Sequence, residues 1–150
     1  MKALQYTLVL AVSLISLIAL QSCKEDDHKL QLRFYYQNNS DRTLVIYHYR
    51  TNGRVEYFKM APQGSVQFLN VNSEGEKHHQ PTDFDKFFQQ NPVIDSVYVI
   101  FDLERLQRYT LNDGKPRSIL DVANYQSSEK GKNTFEFMYE FAEVDYEGAE

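Results

Sequence analysis

Two adjacent imidazoles, His78 and His79, follow the carboxylates of Glu74 and Glu76, and neutral imidazole and carboxylate oxygen are both zinc ligands. Neighbouring side chains usually point apart, and no cysteine or third histidine at ligand spacing joins them, so a solvated loop is expected here. Asn70-x-Asn72-x-Glu74-Gly75 has the oxygen-rich opening of a calcium loop, yet the twelfth position, which needs a bidentate glutamate, holds Pro81. Asp83 with Asp85, and Glu140 with Glu143, are carboxylate pairs of the kind that cleave glycosides at the right separation. Nothing around them predicts the burial that raises a carboxyl pKa, and they read as helix-cap and outward charges. Neither a Gly-x-Ser-x-Gly elbow nor a phosphate-cradling glycine loop occurs. The expectation is therefore no catalytic residue, no metal and no cofactor.

Arg105, Arg108, Lys115 and Arg117 gather cations around one turn. With 16 basic against 21 acidic residues and a formal charge of −5, the chain is not drawn to phosphate backbones, and nucleic acid is not an expected partner. A solvated face is the ordinary reading of that cluster, with an acidic partner as the alternative. His48 falls in mid-strand and reads as a structural histidine with its hydrogen bonds met. Tyr35, Tyr47 and Tyr49 alternate against the aliphatic stripe of their strands. Tyrosine joins a rigid aromatic body to a polar tip and suits protein or sugar interfaces. A second packed sheet would bury the same residues, and the need to fill two inner faces favours burial.

The single cysteine has a sharper context. Lys2 gives a positive start, residues 6–20 are apolar apart from Thr7, Ser13 and Ser16, and Lys24-Glu25-Asp26-Asp27 follows Cys23 at once. The apolar run falls short of the roughly 20 residues that a membrane span needs, so residues 1–22 read as a cleaved signal. Leu20-Gln21-Ser22-Cys23 resembles the bacterial lipobox: an aliphatic residue, a variable one, a small one, then cysteine. The resemblance implies a diacylglyceryl group on Cys23, cleavage just before it and acylation of the new amino terminus. The membrane is then a partner, held through more than one acyl chain, where a single chain holds only marginally. Loss of Lys2, the one charge in residues 1–22, takes the formal charge from −5 to −6. Lys24, Glu25, Asp26 and Asp27 resemble the export signal of surface-exposed lipoproteins of Bacteroidota, which implies an outer-membrane anchor facing the cell exterior. As plain chemistry, residues 23–29 are a charged tether that repels itself and extends.

Residues 30–150 suit one domain, since a chain of this size buries roughly two-thirds of its unfolded surface. Its ten Phe and ten Tyr fall often on alternate positions, the pattern of half-buried strands. Leu30, Leu32, Phe34 and Tyr36 predict a first strand. Residues 43–50 predict a second, joined to a third at 55–58 through Asn52-Gly53, a pair that accepts a type I′ turn. Residues 65–71 return as a fourth, making the first half a meander. Thr82 predicts the N-cap of a short helix carrying Phe84, Phe87 and Phe88. Residues 93–101 read as a central strand and 105–111 as its hairpin partner, closed at Asn112-Asp113-Gly114. Ser118 predicts a helical turn over Ile119, Leu120 and Val122. Thr134–Phe141 sets Phe135, Phe137, Tyr139 and Phe141 on one face. About seven strands and two short helical segments predict a mainly β fold, an antiparallel β-sandwich or partly open barrel.

From Phe101-Asp102 through Arg105-Leu106 and Tyr109, Ser118-Ile119-Leu120, Asn124-Tyr125, Tyr139-Glu140-Phe141 and Asp145-Tyr146-Glu147, the body resembles small lipoproteins of Bacteroidota. These are packing and turn residues, so the resemblance supports the cellular address and implies no activity. The expected function is a lipid-anchored binding domain, not an enzyme, meeting an envelope protein or a glycan. A glycan-degrading enzyme with an atypical site and a structural subunit of an envelope complex are the alternatives.

Overall fold

A computed structural model describes residues 29–74, 78–91 and 93–150. The signal, Cys23 and Lys24 to Asp27 lie outside the described residues. Eight strands form two four-stranded sheets facing each other as a sandwich. The first sheet joins β1 (Lys29–Asn38), β4 (Ser65–Glu74), β7 (Gln126–Gly131) and β8 (Thr134–Phe141) in the order β4-β1-β8-β7. The second joins β2 (Leu44–Arg50), β3 (Val55–Met60), β5 (Ile94–Phe101) and β6 (Arg105–Thr110) in the order β3-β2-β5-β6. No helix among the described residues is long and apolar enough to cross a membrane.

Period-two alternation builds the core. Leu32, Phe34 and Tyr36 of β1 are buried on the same face as Phe135, Phe137 and Tyr139 of β8, which runs parallel beside it. In register, Phe34 stacks on Phe137 with ring centroids 4.9 Å apart, while Tyr36 stacks on Phe68 of β4 at 4.0 Å. Leu44, Ile46, Val97, Val99 and Phe101 fill the facing side from the second sheet. A 3-10 turn at Pro81–Phe84 and a one-turn helix, α1 (Phe87–Gln90), add Phe84, Phe87 and Phe88 to this aromatic cluster.

The sandwich matches the expected class, and several local expectations change. The first half is no meander: β1 pairs with β4 and β8, while the β2–β3 hairpin lies in the other sheet. Alternation names the buried face of a strand without naming its neighbour. The eighth strand, β7, is Gln-Ser-Ser-Glu-Lys-Gly, exposed throughout, so no apolar period announces it. The β2–β3 reversal keeps Gly53 at φ 81° but not Asn52, and the Gly53 amide donates to the Arg50 carbonyl at 2.9 Å. It is a type I turn closed by a left-handed glycine, and not type I′. β5 turns into β6 at residues 102–104, with Asp102 at φ 50° and Leu103 at φ 62°, while Asn112-Asp113-Gly114 leads out of β6. Asp102 makes this work: its carboxylate accepts from the Thr43 amide at 2.8 Å and pins the turn to the start of β2.

Gln80, rather than Thr82, begins the first helical piece, with Asp83 accepting from the Gln80 amide at 2.9 Å. Ser118 caps a turn over Ile119 and Leu120, its hydroxyl accepting from the Leu120 amide at 3.4 Å, but Val122 belongs to a separate 3-10 turn, Val122–Asn124, capped by Asp121. A further short helix, α2 (Glu143–Glu147), follows β8 and brings Asp145 beneath the surface.

Candidate functional site

Once Leu44, Ile46 and His48 point inward, Val45, Tyr47 and Tyr49 must point out of the second sheet. Register then builds three rows across its outer face. Tyr57, Tyr47, Tyr98 and Arg108 stand side by side in the middle row. Lys59, Val45, Ile100 and Leu106 form the row on one side, and Val55, Tyr49, Ser96 and Thr110 the row on the other. Tyr47 lies 6.1 Å from Tyr57, Tyr49 meets Tyr98 edge-on at 5.0 Å, and the Arg108 guanidinium sits 5.6 Å over the Tyr98 ring. Tyr57 is 69% exposed and Tyr49 40%. None of these 12 positions carries a carboxylate, in a chain with 21 of them.

The outer face of the first sheet is different in kind. Gln31, Arg33 and Gln37 of β1 stand beside Thr134, Glu136 and Glu140 of β8 and Asn70 and Asn72 of β4. Tyr35 is the one tyrosine there, half-buried next to Gln67 and Met138. The expectation that Tyr35, Tyr47 and Tyr49 are buried between the sheets is thus overturned. The opposite parity of each strand, led by Phe34, Tyr36, Ile46 and His48, already fills that space. Tyr35 is also separated from the other two by the whole thickness of the sandwich.

The tyrosine face runs into a cavity of about 810 Å³ beside the edge strand β6, a size ordinary for ligand sites. Tyr98, Leu106, Gln107 and Arg108 line it from the sheet, Lys115 and Arg117 from the following loop, Val144 and Asp145 from α2, and Glu150 from the segment after it. Arg105, Arg108, Lys115 and Arg117 are all exposed, as a solvated face would be. Each lies over a tyrosine: Arg105 over Tyr146 at 4.6 Å, Lys115 over Tyr109 at 5.5 Å and Arg117 over Tyr139 at 5.4 Å.

Arg117 closes the floor by holding Asp145 in a two-point bond, Nε to Oδ1 at 2.9 Å and Nη2 to Oδ2 at 3.0 Å. The Asp145 side chain is 2% exposed, and it also accepts from the Ala142 amide at 2.8 Å. That carboxylate holds the Arg117 guanidinium above its ordinary range, while burial pushes the hydroxyls of Tyr109 and Tyr139 up. Lys115 Nζ donates to the Arg108 carbonyl at 2.7 Å. Further along the same edge, the Glu150 backbone exchanges two hydrogen bonds with Leu106, at 2.8 and 3.1 Å.

His48 is only half satisfied, contrary to the expected structural histidine with both nitrogens met. Its Nε2 lies 2.9 Å from the Tyr36 hydroxyl, and its Nδ1 has no hydrogen-bond partner. Beside this pair the Tyr125 hydroxyl donates to the Ile119 carbonyl at 2.7 Å. Burial first, and the nearby Arg50 charge second, lower the His48 pKa to about 3, so the ring is neutral.

The remaining sequence candidates stay apart. His79 Nδ1 lies 3.5 Å from Asp83, its ring packs against Phe84, and His78 is exposed. Glu76 lies outside the described residues, and among those described no three potential metal ligands gather. Asn70 and Asn72 sit in the extended β4, and Glu143 pairs with Arg42 at 3.0 Å, well removed from acid–base duty with Glu140. The tyrosine face was only partly visible beforehand: Tyr57, Tyr98 and Arg108 stand at the right parity, but cross-strand register alone brings them together. No protein-family model matches the chain, and neither a curated protein nor a solved structure does.

Proposed function

We propose that the protein is a binding module, anchored in the outer membrane by lipid on Cys23 and facing outward, whose working surface is the outer face of the second sheet. The carrying observation is the contrast between its two outer faces. One is covered with amides, hydroxyls and paired charges, as water-facing surfaces are. The other gathers four tyrosines with Val45, Val55, Ile100 and Leu106 and carries no carboxylate. Tyrosine and arginine are the residue types that dominate interface energies, and carboxylates are depleted from interface centres. The lipobox resemblance and the acidic run after Cys23 support the address. A Tyr57→Ala, Tyr98→Ala double variant should lose retention of partners from solubilised envelopes while Tyr35→Ala keeps it. Equal retention by both would overturn the assignment of the face. Cys23→Ala should abolish fatty-acid labelling, and persistent labelling would remove the anchor.

A further inference from the structure

Around this face stand cations with no carboxylate partner among the described residues. Arg33, Arg42, Arg50, Arg54 and Arg117 each reach a carboxylate within 3.5 Å. Arg108 meets only the Tyr98 ring, Lys115 only uncharged oxygen and the Tyr109 ring, and Lys59, at the far end of the face, has no ion pair among the described residues. In a chain of net charge −5, Lys59 and Arg108 on a face whose three rows hold no carboxylate, with Lys115 at its margin, amount to a complementary field for an anionic partner; of the two carboxylates that line the adjoining cavity, Asp145 is neutralised by Arg117 and Glu150 lies at its edge.

The chemistry of that partner follows from what else the face offers. A sugar needs amide or carboxylate groups beside an aromatic ring to meet its hydroxyls; no Asn, Gln, Asp or Glu stands in the three rows, and at the cavity Asp145 is held by Arg117 while Gln107 is turned to Gly148 and Lys115. A second copy of the chain would set Lys59 and Arg108 against their own kind with no carboxylate to receive them. Apolar and aromatic side chains, with acidic groups at the margin, satisfy both halves of the surface. Four strands about 4.8 Å apart and five residues along each give a footprint roughly 15 Å by 13 Å, the size of a short segment rather than a whole globular interface.

We propose, resting on the reading of this face as the binding surface, that it docks an acidic protein segment. Its apolar side chains lie over Tyr47, Tyr57 and Tyr98, and a carboxylate enters the cavity between Arg108 and Lys115.

Full-length protein in detergent would be titrated with fluorescent synthetic peptides of matched apolar content that are acidic, neutral or basic, and with polyuronate. The expected result is binding of the acidic peptides, weakened by added salt, with Tyr57→Ala lowering affinity about tenfold. Arg108→Glu with Lys115→Glu should invert the preference toward basic peptides, whereas Gln67→Glu, on the other sheet, should not. Arg108→Gln, confirmed as folded by its melting curve, should at least halve the salt dependence. Peptide binding that ignores charge would overturn the acidic-segment inference while leaving the binding face standing. Preference for polyuronate, self-association through the face, or no peptide binding at all would equally overturn it.

Discussion

His48 sets how the core responds to acid. Its folded pKa of about 3 lies below the ordinary value of 6.5. Between those two pH values the unfolded chain therefore binds one proton more than the folded one. Stability rises with pH across that window, by at most about 1.4 kcal/mol per unit, and the contribution is complete above it. His48→Phe should remove roughly one proton's worth of that slope in urea titrations run from pH 4 to 7, and an unchanged slope would show the ring to be protonated or exposed. Arg117 and Asp145 make the opposite case, a charge kept buried by its partner. Arg117→Met strands the Asp145 carboxylate and should cost about 2–3 kcal/mol, below the 3–5 of a fully buried pair because Arg117 is 44% exposed. Neither arrangement was legible beforehand. The sequence places His48 in a strand correctly, but the missing partner on Nδ1 depends on which groups the opposite sheet supplies.

At the scale of the element, alternation carried most of the fold. β1 and β8 expose and bury the residues their patterns predict, because an aromatic at every second position leaves a strand one way to face. Polar β7 and short α2 were invisible for the converse reason: neither has an apolar period, β7 being held by the backbone of the adjacent hairpin arm β8 and α2 by Arg117, 28 residues away from Asp145. The same logic separates the two kinds of aromatic. Phe34→Ala opens a void among Phe137, Phe87 and Phe88 and should cost about 3–5 kcal/mol in chemical unfolding. Tyr57→Ala, on the exposed face, should cost under about 1 kcal/mol, the scale of one cross-strand pair. A large loss at position 57 would mean the tyrosine face serves packing rather than recognition.

For the whole molecule, the acidic composition and the basic margin of one face do different jobs. A net charge of −5 gives the molecule an overall field that repels polyanions, while Lys59, Arg108 and Lys115 make one face locally positive. Composition could state the first and not the second, since local charge appears only after the strands are in register. The same holds for the surface tyrosines. Tyr47 and Tyr49 were candidates from their spacing, yet the face they belong to takes in Tyr57 and Tyr98 from strands on either side. The claim that this face is where the protein meets its partner is tested most directly by placing a photo-reactive phenylalanine at position 57, and separately at position 35, in the protein expressed on living cells. Illumination should give a discrete cross-linked product from position 57 and none from position 35. The same product from both positions, or one from position 35 alone, would contradict the account.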